Sequence, residues 1–186
     1  MKLNIKIDLN RFQVNTEGKS AAWAAVLMGL FFFLRAVVYF AFVNLKEIGT
    51  ANLIFSLILP MLFTGGCMLC LRGFRFTKPI IYGGVVVGIT ISLLLASFEM
   101  TGFNVVLNFI LILAAALLLE VHCLGVWNMR LYSSMVFAAA LLCRILWHTI
   151  PMASAKADVT TWLFEIGSLC LDGAMIFLPL TFQDRK

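Results

Sequence analysis

The sequence predicts an all-α, polytopic integral membrane protein, a six-transmembrane-helix bundle with both termini cytoplasmic. Three observations predict it. Of the 186 residues, 62% are hydrophobic and only 12% charged, with a mean hydropathy of +1.02, whereas soluble domains are about 45–50% apolar and about 25% charged. Six apolar runs each have the roughly 20 residues a helix needs to cross a hydrocarbon core. Lys and Arg outside those runs are divided unevenly, ten on one side and two on the other. The same composition excludes a disordered chain, and six spans leave no length for a soluble catalytic domain.

The chain opens with a polar leader, 1–20. It is too polar for the apolar region of a cleaved signal peptide, so the first apolar run reads as a retained helix. Within it Leu3, Ile5, Ile7 and Leu9 alternate with Asn4, Lys6, Asp8 and Asn10, the period of a strand. A lone strand needs a partner edge; without one the leader reads as a tail on anionic headgroups. Gly18-Lys19-Ser20 is not a phosphate-binding loop, because Gln13 stands where that motif requires glycine.

The transmembrane domain, 21–182, comprises spans Ala21–Val43, Ala51–Leu71, Pro79–Phe98, Phe103–Cys123, Leu131–Ile150 and Thr161–Phe182, followed by a tail at 183–186. In lipid each span satisfies its backbone groups as a helix, and the short connectors make neighbours antiparallel. The leader, 72–78, 124–130 and the tail hold the ten basic residues, and Lys46 and Lys156 the other two. This asymmetry places the leader and tail in the cytoplasm of a plasma-membrane protein. Trp23, Trp127 and Trp162 fall near span ends, where interfacial aromatics gather.

Two stripes of small residues suit close helix contact. They are Gly84, Gly88, Ser92 and Ala96 in the third span and Ala21, Ala25 and Gly29 in the first. Either packs within the chain or forms a face for a partner subunit or a second copy.

Charges inside spans are the most informative residues, since they are expensive in lipid and need partners. Arg144 and Glu165 lie about 7–9 Å from the outer ends of their helices, Arg35 about 13 Å and Asp172 about 18 Å. Around them stand Tyr39, Asn52, Ser56, Asn104, Asn108, His148 and Ser168, each spaced to share a helical face with another polar residue. Five helices thus direct polar groups toward one region of the outer half. Two readings of function stay open, beside a proton or ion path through Asp172. The groups line an outward pocket for a small polar or charged solute, Arg35 and Arg144 holding an anionic group and Glu165 and Asp172 orienting them or holding an amine. Alternatively, Arg144 with Glu165 and Arg35 with Asp172 are ion pairs that only fix helix register, as in a structural or assembly subunit.

At the cytoplasmic ends, Cys67 and Cys70 form a C-x-x-C, and His122 and Cys123 lie beside Glu120. Thiolate and imidazole suit Zn²⁺ or Cu⁺, which gives a third reading, a thiol or metal protein. Buried apolar cysteine is the commoner case; no disulfide framework, metal or cofactor is expected, and Glu120 snorkels toward Arg130 or a headgroup. Nucleophile–base and zinc-protease motifs are absent, so an enzyme is the least favoured class. Nucleic acid is excluded as a partner because the basic residues follow topology. In size, cytoplasmic termini, small-residue first helix and outer polar cluster, the chain is similar to the substrate-binding subunits of energy-coupling-factor vitamin transporters. The likeness is architectural and implies solute binding without carrying over any residue.

Overall fold

The computed structural model describes residues 12–15, 17–42, 50–71, 88, 90–91 and 103–184. Five long helices carry the described chain. They are α1 (Lys19–Phe42), α2 (50–71), α3 (Phe103–Cys123), α4 (Arg130–Ser154) and α5 (Val159–Phe177). Two short strands, β1 (Phe12–Val14) and β2 (Phe182–Asp184), complete it. Four helices are long and apolar enough to cross a membrane, so the chain is an all-helical membrane protein. The third expected span lies outside the described residues apart from positions 88 and 90–91, which are helical.

α1 packs most extensively on α5, α3 on α4, and α4 also on α5, while α2 lies against α1. The core face of α1 is Ala21, Ala24, Met28, Phe31 and Arg35, which repeat at the three- and four-residue intervals of one helical face. The opposite faces show apolar bulk outward: Phe33, Phe40, Leu62, Leu117, Met135 and Leu142 are all more than half exposed. That inversion suits a solvent of acyl chains. Packing and interhelical hydrogen bonds then hold the helices together, because lipid removes the hydrophobic drive between them. Ser133 Oγ donates to the Ala115 carbonyl at 2.8 Å and Ser134 Oγ to the Ile176 carbonyl at 2.7 Å, tying α4 to α3 and α5.

Small residues of both stripes make contacts within the chain. Ala21 is buried in the core, Ala25 packs against its edge, and Gly29 borders Met68 of α2. Gly88 comes so close to the ring of Phe63 on α2 that a β-carbon there would overlap it. Gly84, Ser92 and Ala96 lie outside the described residues.

The boundaries depart from expectation most at the end of the last span. The sixth helix ends at Phe177, followed by a 3₁₀ turn at Pro179–Thr181, and Phe182 belongs to a strand. Pro179 cannot donate to the preceding turn, which is why the helix stops. Phe182–Asp184 then pairs antiparallel with Phe12–Val14, with Gln13 opposite Gln183 and Val14 opposite Phe182. Residues Phe12–Val14 of the leader are thereby joined to the end of the last span. The alternating stretch 3–9 lies outside the described residues. Asn15 N–H bonds the Thr181 carbonyl at 2.7 Å, and Arg130 donates to the Phe182 carbonyl at 3.0 Å. Arg130 is thus directed to the ribbon, not to Glu120.

At the far end, Asp158 caps α5 by accepting from the Thr161 N–H at 3.0 Å and from the Thr161 hydroxyl. Those bonds, the hydroxyl's foremost, hold the exposed Asp158 carboxyl below its ordinary value.

The ribbon gives a direct test. Facing residues of an antiparallel pair have Cα atoms about 4.5–5.5 Å apart, within disulfide range. Gln13→Cys with Gln183→Cys should cross-link on mild oxidation and shift the chain on a non-reducing gel, while each single variant should not.

Candidate functional site

Three helices bring their charges together in the half of the bundle away from the ribbon. On α4, Arg144 is 1% exposed; on α5, Glu165 is 2% exposed. Arg144 Nε donates to Glu165 Oε1 at 3.0 Å and Nη2 to Oε2 at 2.7 Å, the bidentate fork that guanidinium and carboxylate make best. Thr149 Oγ1 donates to Glu165 Oε1 at 2.7 Å, and His148 Nε2 stands 3.6 Å from Oε2 at the partly exposed rim.

Seven residues, nearly two turns, beyond Glu165 is Asp172, with its Oδ2 3.8 Å from Arg144 Nε. Its basic neighbour is therefore Arg144. Arg35 takes another place: its Nη2 donates to Ser168 Oγ at 3.4 Å and its guanidinium lies 3.5 Å from the centre of the Phe164 ring, with Phe31 at 5.2 Å. Stacking on an aromatic face is a favourable setting for a desolvated guanidinium.

Of the other expected site residues, Asn108 is buried on α3. Tyr39 belongs to an apolar cluster with Val38 and Leu57, against which Phe164 also packs. The side chains of Asn52, Ser56 and Asn104 lie outside the described residues, as does that of Cys70.

The helices widen around this cluster. α1 takes a π-helical turn at Val38–Phe42, α2 at Ile54–Ile58 and α4 at Ile145–Thr149. Such turns are rare and gather at functional sites. The one in α4 has a visible effect. In a regular α-helix, five residues after Arg144 points about 140° away, which is why Thr149 escaped the periodic reading. The π-turn brings its hydroxyl back to the same carboxylate.

Two cavities among the described residues lie elsewhere. One, of about 770 Å³, is lined by Gly29, Phe32, Phe33, Ala36, Gly65, Met68 and Leu69. The other, of about 650 Å³, shares Gly29 and Met68 with it and reaches Glu17. They form a mainly apolar groove between α1 and α2.

The described members of the cysteine–histidine group, Cys67, His122 and Cys123, form no metal-binding cluster. Cys67, His122 and Cys123 are buried, and Cys123, Cys143 and Cys170 are free thiols. His122 Nδ1 lies 3.4 Å from the Trp127 carbonyl, and its ring meets Phe182 edge-on at 5.6 Å. Among the described residues, no three His, Cys, Asp or Glu side chains are placed to hold a metal ion.

Comparison with protein-family models, curated proteins and solved structures finds no match.

Proposed function

We propose that the chain is a six-span plasma-membrane protein that binds, and by rearrangement of α1, α4 and α5 translocates, a small polar or charged solute at the Arg35–Arg144–Glu165–Asp172 cluster. One observation carries this. Asp172 stands against a guanidinium whose Nε and Nη2 already serve Glu165. Charges within a bundle do little for its stability and are characteristic of substrate and ion pathways. A solute with an amine would take Asp172, and one with a carboxylate would compete with Glu165 for Arg144. The ribbon supports an even number of crossings, because it holds both ends of the described chain at one end of the bundle. The excess of Lys and Arg assigns that end to the cytoplasm, with the cluster toward the outside.

The test is thermal denaturation of the detergent-purified protein against a panel of vitamins, amino acids and small anions. A ligand of the folded state at a hundred times its Kd adds about 2.7 kcal/mol of stability. The expected result is a raised Tm with one class of solute, lost in Asp172→Asn. No shift across the panel overturns the proposal.

A second reading, a structural or assembly subunit, draws on a separate observation. Both Glu165 oxygens are satisfied, by Arg144 and Thr149, which is complete pairing for a lock between α4 and α5.

A further inference from the structure

We propose that Asp172 is a proton-binding site within the membrane, neutral in the arrangement seen here and ionised when the cluster opens. The inference goes beyond solute binding and needs no solute.

Its basis is an imbalance of partners. A buried carboxylate keeps its charge when donors supply hydrogen bonds or when an opposite charge is its own. Glu165 has both, through two guanidinium bonds and the Thr149 hydroxyl. Asp172 has neither. Its side chain is only 8% exposed, it makes no hydrogen bond among the described residues, and its one ionic contact is 3.8 Å from a nitrogen that already donates to Glu165. A guanidinium held by one carboxylate cannot fully neutralise a second in a medium of low dielectric. Where two acids share a site, one holds the proton.

The groups around Asp172 leave that role to it. From α4 it faces Arg144. On α5 itself Glu165 and Ser168 share its face. From α1 the nearest charge is Arg35, directed at Ser168 and the Phe164 ring, while Leu27 packs beside the adjacent Gly173. His148, 22% exposed in its side chain and 3.6 Å from Glu165, is the titratable group of the cluster most open to the rim. Neither of those two cavities is lined by Asp172, and a proton is the guest that requires no room. Binding adds an O–H bond to the carboxylate at the expense of hydronium, leaving water.

Infrared spectroscopy of the detergent-purified full chain tests this, with pH stepped from mildly acidic to alkaline. The carbonyl stretch of a single protonated carboxyl should be present at the acidic end, disappear as pH rises, and be missing from Asp172→Asn. It should survive Glu120→Gln, which removes the half-buried carboxylate near the ribbon. If Asp172→Asn fails to fold, ¹³C-aspartate labelling of the native chain serves instead, and the band should move with the label. A spectrum without the band, a band that persists in Asp172→Asn, or one that ignores the aspartate label overturns the proposal. None of these outcomes depends on the solute panel, so either idea can fail alone.

Discussion

Glu165→Ala should lower the unfolding free energy by about 3–5 kcal/mol, the cost of leaving one partner of a buried ion pair uncompensated. Arg144 is 1% exposed, and Asp172 at 3.8 Å is too distant to take over two lost bonds. The measurement is reversible unfolding in mixed micelles. The paired change Arg144→Met with Glu165→Leu should recover most of the loss, because apolar side chains of similar volume replace buried ion pairs without penalty. Only the double variant separates the two functional readings. A folded, apolar-locked bundle that still supports the cell's need for the protein points to a structural role; a folded one that has lost solute-dependent stabilisation points to binding.

Gly88→Ala should cost about 1–3 kcal/mol, the range for overpacking a well-filled interior. The added methyl would overlap the Phe63 ring near its attachment, where a rotamer change offers little relief. Phe63→Ala in the same chain should recover part of the loss by making room, so that the two substitutions together cost less than the sum of each alone. Additive effects would show that Gly88 and Phe63 are not in contact. Thermal denaturation of the four proteins reads the cycle.

Apolar run length and the period of the α1 stripe made most helices legible, and α3 has the expected limits, Phe103–Cys123. Arg144 with Glu165 was legible too, because equal depth on adjacent antiparallel helices leaves few alternatives. Arg35 with Asp172 was not. Depth alone says nothing about azimuth, and the aromatic face of Phe164 competes for a guanidinium without any charge to mark it. Thr149 was hidden by a helical period that changes within α4. The end of the last helix was obscured because Leu178, Leu180 and Phe182 continue its apolar character past Pro179, and hydropathy does not register a change of backbone direction.

The ribbon of Phe12–Val14 and Phe182–Asp184 unites the two described segments farthest apart along the polypeptide. Ring closure over that distance is entropically slow while the chain is floppy, and the second strand leaves the ribosome only after every helix before it. The lock therefore snaps shut as a late step of biogenesis, on a bundle already threaded through the bilayer. Until then the first strand keeps an unpaired edge.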